Sequence, residues 1–560
     1  MFARTAALAA LAALALPAVA IAQPATKPKL IVAIAIDQLS SDLFTEYRPQ
    51  WTGGMKRLSG GVVFANGYQS HAATETCPGH ATILTGVRPG RAGVIANSWI
   101  DQSIARDDKT VYCAEDVTKG ATSRPGSYRP SAVHLRVATL GERMKAADPR
   151  SRVVAVGGKD RAAIMMGGAN ADENWFLRPT DHARFETFAE RTAAPPPSVA
   201  RVNASIDKAL ARPKRGMRLS PLCAPRARPV QIAPGKAVGE GRFARMADGQ
   251  LPDGKPNPAR PLFRASPESD NATLALAGGL IADMRLGRGT ATDLIAIGLS
   301  ATDIVGHAYG TSGSEMCLQL QALDAGLRRL FAQLDRARID YVVVLTADHG
   351  GHDTPERNRE RGIAEADRAS ATFTPKAIGE AVAQAMGLPG SVLIAADAIG
   401  DIYIDRAVPA ARRDEALARV KAAYLANSQI AAAFTASELR ATTPPTLPPE
   451  EWTLAQRALA SFDPARSGDL IVLLKPRVTP ISIETAARSY IATHGSPWDY
   501  DRRVPILFWR KGMTGFDQPN TIEVIDIAPT LAGLIGLAIT PGGMDGQCRD
   551  LDAGAGSTCR

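Results

Sequence analysis

The sequence predicts an α/β protein with a central, mostly parallel sheet flanked by helices and elaborated by cap insertions. Five short apolar runs carry the first part of that reading: Leu30–Ile36, Val153–Val156, Leu294–Leu299, Tyr341–Leu345 and Val504–Trp509. Each is continuous rather than alternating, as strands covered on both faces are. Helical patterns such as Cys317–Arg336 lie between some of them, and strands alternating with helices build layered α/β folds. The third observation is how the runs end. Asp37 follows the first, Lys159 and Arg161 the second, Asp303 the third, and Asp348-His349 the fourth. Open parallel sheets bind ligands beyond the carboxyl ends of their strands. One acidic residue after a strand is usually a turn or helix cap; four strands ending in reactive side chains point to a site.

The chain begins with a segment that stands outside this fold. Arg4 precedes an apolar run from Ala6 to Ile21, closed by Ala20-Ile21-Ala22. This reads as a secretory signal peptide, residues 1–22, cut after Ala22. It is short for a bilayer span, and no other run approaches the roughly 20 apolar residues a span needs. The expectation is an exported, periplasmic protein without a membrane anchor. Residues 23–560 then form one catalytic domain. Insertions are expected near 98–150, 171–290 and 395–480, where Pro, Arg and Ala accumulate, as in Pro195-Pro196-Pro197. The composition, 45% hydrophobic and 22% charged, is ordinary for a globular protein.

A formal net charge of +9 attracts anions. The basic residues are scattered and not interleaved with aromatics, so no specific nucleic-acid partner is expected. None of the six cysteines forms a CxxC pair, which argues against a thiolate zinc knuckle. Export permits up to three disulfides. Their pairing stays open, although Cys548 and Cys559 are spaced to close a short C-terminal loop.

Metal-ligand types recur at the strand ends. Asp303 and His307 are four apart, Asp348 and His349 are adjacent, and His494 stands before a glycine. With Asp37 these make three carboxylates and three imidazoles, the donor set zinc prefers, and enough for two zinc ions if a nucleophile completes one shell. A lone histidine is more often structural, and His71, His80, His134 and His182 are read that way; His352 stays open.

The nucleophile candidate is Thr76, in Thr74-Glu75-Thr76-Cys77-Pro78-Gly79-His80. A helix is expected from Pro78 or Gly79 through Leu84, leaving Thr76 just ahead of its positive end, where a phosphate binds well. Coordination to zinc would lower the hydroxyl pKa and supply an alkoxide. Cys77 is the rival, but has no adjacent general base and is read as buried or disulfide-bonded.

Asp37 after a strand, Thr76-Cys77-Pro78-Gly79-His80, Asp303-x3-His307, Asp348-His349-Gly350, His494-Gly495 and Asp526–Leu531 occur in the order seen in the alkaline phosphatase superfamily. The chain resembles its threonine-nucleophile periplasmic branch, similar to the PafA-type and Sphingomonas alkaline phosphatases. The resemblance implies that Asp37, Thr76, Asp348 and His349 bind one zinc and Asp303, His307 and His494 the other. It places Asn97, Lys159 and Arg161 against the transferred phosphoryl group, with Asn66 a rival for the amide. It implies hydrolysis of small phosphate monoesters at alkaline pH, over a broad range, through a phosphothreonine intermediate. Lys159 and Arg161 match the two charged oxygens of a monoester, which sets a nucleotide pyrophosphatase/phosphodiesterase second. The sulfatase pattern C-x-P-x-R is missing. An inactive protein that captures phosphorylated ligands or metal is the alternative of another class, and the completeness of the ligand set speaks against it.

Overall fold

The computed structural model describes residues 27–124, 127–178, 183–211, 219–241, 243, 263–553 and 556–559. The signal segment and His182 lie outside them.

Among the described residues the main sheet has ten strands, nine in the order Phe516–Gln518, Val62–Tyr68, Arg503–Arg510, Tyr341–Thr346, Leu30–Ile36, Asp293–Leu299, Val153–Gly157, Glu173–Leu177 and Phe185–Glu186, and the tenth, Ile522–Glu523, pairing with Val62–Tyr68. The five from Tyr341–Thr346 to Glu173–Leu177 run parallel. Leu30–Ile36 lies at the centre with every residue buried, its neighbours in register from Leu30 to Ile36 on one side and Leu30 to Ala35 on the other. Such a strand has no solvent face, and its sequence is apolar at every position for that reason.

The fifth expected strand is present but reversed. Arg503–Arg510 runs antiparallel to both Tyr341–Thr346 and Val62–Tyr68. A continuous apolar run reports burial on two faces and carries no information about direction.

Helices cover both faces. Ser314–Arg336 includes the expected Cys317–Arg336 helix and packs on Pro267–Asp283. A second sheet of four strands, in the order Leu393–Ile394, Gly400–Ile404, Leu470–Leu474 and Ile430–Thr435, has a hydrophobic core of its own. Disulfides join Cys77 to Cys113, Cys223 to Cys317 and Cys548 to Cys559. Among the described residues no helix is long and apolar enough to cross a membrane.

Candidate active site

The Thr76–Thr85 helix starts earlier than expected, with Glu75 as its cap. Pro78 falls in the first turn, where its missing N–H has no intrahelical acceptor to lose. Thr76 is therefore the first helical residue rather than one ahead of the helix, and it is 1% exposed. The helix lies against the end of the Tyr341–Thr346 strand. A Cβ on Gly79 would collide with the Asp348 carbonyl, so glycine is required at this approach.

Beyond the strand ends, Asp37, Asp348 and His349 bring donor atoms within 4.8 Å of one another, as do Asp303, His349 and His494. His307 lies one turn after Asp303 on the Ala301–Tyr309 helix, its Nε2 3.2 Å from Asp303 Oδ1. His494 Nε2 is 3.3 Å from the same oxygen. The His349 ring stands between the two groups, stacked on His494 with centroids 3.6 Å apart.

The fit of this cluster to cations can be tested on its hydrogen bonds. Nδ1 of His307, His349 and His494 sits 2.8, 2.9 and 2.8 Å from the carbonyl oxygens of Ala492, Gly350 and Thr74. A carbonyl only accepts, so each Nδ1 carries a proton, and in the neutral ring each Nε2 presents a lone pair. Asp37 Oδ1, Asp303 Oδ1, Asp348 Oδ2 and His349 Nε2 are buried without a hydrogen-bond partner. Lone pairs facing lone pairs away from water call for positive charge between them. Titration points the same way. Burial, and then the Asp348 carboxylate, push Asp37 up to about 6. Burial opposes protonation of His349, but Asp348 outweighs it and raises the ring to about 9. Burial and the neighbouring His349 lower His494 to about 3. Carboxylate and imidazole donors in this arrangement suit divalent transition-metal ions.

The cationic side chains meet at Thr76. Lys159, 3% exposed, places Nζ 2.6 Å from Asp303 Oδ2, 2.7 Å from Asp37 Oδ2 and 3.3 Å from Thr76 Oγ1. Arg161 Nη2 donates to the same hydroxyl at 3.5 Å. Asn97 lies over the first helical turn: its Oδ1 accepts from Cys77 N at 2.9 Å, and its own N–H donates to Glu75 Oε2 at 2.7 Å. Asn97, Arg161, His307 and His494 line a cavity of about 420 Å³, and Asn66 is not among its lining residues. Cys77 is disulfide-bonded, which removes it as a nucleophile.

The profile of the type I phosphodiesterase / nucleotide pyrophosphatase family matches residues 31–497. The chain belongs to this family. Among its relatives, alkaline phosphatase PhoK of Sphingomonas is 52% identical over 542 residues, 96% of this chain and 93% of the relative. Alkaline phosphatase PhoD of Zymomonas mobilis is 46% identical over 538 residues, 96% and 90% of the two chains. The crystal structure of wild-type alkaline phosphatase PafA superposes with a TM-score of 0.79 over 94% of this chain and 99% of that one; at 23% identity the match speaks to the fold. The resemblance to the alkaline phosphatase superfamily drawn from the motifs is borne out, and with it the α/β fold.

Within this phosphodiesterase-family fold, two residues near the cluster escaped the sequence reading. His80, read as structural, is fully buried with Nδ1 2.9 Å from the Thr76 carbonyl and 3.2 Å from Asp348 Oδ2. Its position four after Thr76 on one helix was the available signal. Asp501 is also buried; its Oδ2 accepts from Ser496 N at 2.9 Å and so ties down the loop that carries His494. Nothing local in the sequence marks it. His352 lines the cavity and belongs to neither donor group.

Proposed function

We propose that the chain is an alkaline phosphatase that hydrolyses phosphate monoesters through a covalent phosphothreonine on Thr76. The observation that carries this reading is the convergence of Lys159 and Arg161 on Thr76 Oγ1, at 3.3 and 3.5 Å. A phosphate monoester presents two charged non-bridging oxygens, and the buried Lys159 and half-buried Arg161 beside the nucleophile match them. Thr76 Oγ, its proton released to solvent, attacks phosphorus, the ester P–O bond breaks, and the departing alkoxide takes a proton from solvent. Water then attacks the phosphothreonine, releasing inorganic phosphate and restoring the hydroxyl. Lys159, Arg161 and Asn97 hold the non-bridging oxygens through both steps.

Asp37, Thr76, Asp348 and His349 would hold one zinc ion, and Asp303, His307 and His494 the other. Bound, the pair supplies the charge that acidifies a hydroxyl and offsets developing charge on a leaving oxygen. Relatives named alkaline phosphatases at 52% and 46% identity support the monoester reading. The family description favours a second, nucleotide pyrophosphatase/phosphodiesterase activity. Residues 1–22 as an export signal make the periplasm the expected compartment and small phosphorylated molecules the substrates.

The deciding experiment compares the parent protein with Lys159→Ala/Arg161→Ala on a phosphate monoester and a matching diester, at alkaline pH with zinc. A parent preferring the monoester, with that preference reduced about 10²-fold or more in the variant, is expected from the loss of preorganised charge. A parent preferring the diester, or an unchanged variant, replaces this reading with the phosphodiesterase.

A further inference from the structure

The hairpin of Ser98–Ile100 and Thr110–Tyr112 starts one residue after Asn97 and ends one before Cys113. Ser98 pairs with Tyr112, and Cys113 N donates to the Asn97 carbonyl at 3.0 Å, so the two ends of the hairpin leave side by side. One end delivers Asn97 to the nucleophile helix. The other sends Tyr112 toward Arg161, where three hydrogen bonds close on one carboxylate. Tyr112 Oη donates to Asp160 Oδ1 at 2.8 Å, Arg161 N donates to the same oxygen at 2.8 Å, and Tyr128 Oη donates to Asp160 Oδ2. Asp160 has no exposed surface.

Arg161 Nη1 donates to Tyr112 Oη at 3.4 Å, and its Nη2 to Thr76 Oγ1. Its Nε is buried without a partner. Among the described residues, Tyr112 is thus the one group besides Thr76 that hydrogen-bonds the guanidinium. Away from Thr76 the guanidinium is held at one nitrogen alone, and a long side chain so held depends on that anchor for its direction. The anchor is itself braced: the Tyr112 and Tyr128 rings lie 4.9 Å apart, and the Arg178 guanidinium sits 5.0 Å from the centre of the Tyr128 ring. Burial, and then the Asp160 carboxylate, push the Tyr112 hydroxyl above its ordinary range, so it stays protonated and its O–H remains on Asp160.

We infer that Tyr112 and Asp160 are positioning residues that aim Arg161 at the transferred phosphoryl group and thereby set the preference for monoesters. The inference rests on the role proposed above for Arg161. Tyr112→Phe keeps the ring and removes the anchor; it is expected to lower monoester kcat/KM about 10- to 30-fold and to lower the matching diester value by much less, the scale that a displaced binding group produces. Asp160→Asn is expected to act in the same direction. In an Arg161→Ala background, Tyr112→Phe adds less than about twofold, because the coupled partner is already gone. Equal losses on both substrates, or a full loss that persists in the Arg161→Ala background, mean a purely structural tyrosine and overturn the inference. If Arg161→Ala abolishes the monoester preference while Tyr112→Phe keeps it, this inference alone falls. If Arg161→Ala keeps the preference, the role of Arg161 falls and the inference with it. Should Asp160→Asn fail to fold, the isosteric Tyr112→Phe still decides.

Discussion

The two walls of the cavity are built from different sheets and follow different rules. On one side Asn97, Arg161, His307 and His494 line it, and behind them lie Thr76, Lys159, Asp303 and His349, buried and held by hydrogen bonds from several elements. On the other side Gly400, Asp401 and Ile471–Leu474 of the smaller sheet, with Val478, Pro480 and Ile481, offer a mainly apolar face, with Asp397 and Asp401 as its acids. Its lip is Tyr490, 45% exposed and stacked on His307 at 4.7 Å. In the function proposed above, the first wall would fix which bond is broken. The second would face whatever the phosphate is attached to, and its few polar groups fit a broad substrate range.

The largest effect expected from this contrast is that of Thr76→Ala. Turnover of a phosphate monoester should fall on the order of 10³-fold or more, as it does when a nucleophile is removed, while metal analysis shows the ion content retained in part. Substantial residual turnover would move the nucleophile elsewhere on the wall. Next comes His349→Ala, which removes the ring shared by both donor groups. Activity should fall at least about 100-fold, beyond the loss of a mere supporting group. The drop in melting temperature that a chelator causes in the parent, through lost ligand stabilisation, should largely disappear. A variant that keeps two ions per chain would show that the groups are independent.

A smaller effect lies behind the catalytic wall. Asp270 accepts from Ala301 N at 3.0 Å and Gln319 Nε2 at 2.7 Å under the ligand-bearing helix, and burial pushes its carboxyl up to about 7. With the folded value above the unfolded one, the folded state is increasingly penalised as pH rises from about 4 to 7, and the penalty is complete above that. Melting curves of Asp270→Asn and the parent from pH 5 to 8 should therefore shift in favour of the variant as pH rises. A constant difference would mean that the carboxyl ionises normally. The smallest change is expected on the apolar wall: Tyr490→Ala should alter KM for aryl phosphates about 2- to 10-fold, the worth of one ring contact, with alkyl phosphates less affected. A large fall in kcat for both would make Tyr490 part of the chemistry and blur the distinction between the walls.

How much of this was legible in the sequence follows the same division. Four of the five parallel strands were readable because each is an unbroken apolar run buried on both faces, and the residue after each run fell where an open sheet binds ligands; the fifth, Glu173–Leu177, was not, because it opens on Glu173-Asn174 and lies in the 171–290 segment read as an insertion. Asp303 and His307 were readable because four residues make one helical turn. The antiparallel direction of Arg503–Arg510 was not, since burial leaves the same apolar signature either way. Nor was the smaller sheet, whose strand Gly400–Ile404 pairs with the distant Leu470–Leu474 across intervening helices. The contacts among Tyr112, Tyr128 and Asp160 are likewise matters of tertiary placement: three residues without common spacing are joined only when the hairpin folds over the Asp160–Gly167 helix.

Cys77 follows Thr76 in the chain, and its bond to Cys113 fastens the same hairpin that presents Asn97 and Tyr112. Completion of the catalytic wall is thereby linked to an oxidation event, which a thiol-rich cell interior withholds and an oxidising compartment provides. The expected consequence is one of timing. Under the proposed export, newly made chains would carry a loosely assembled site among the phosphorylated molecules of the cell interior, and full catalytic competence would arrive with oxidation in the outer compartment.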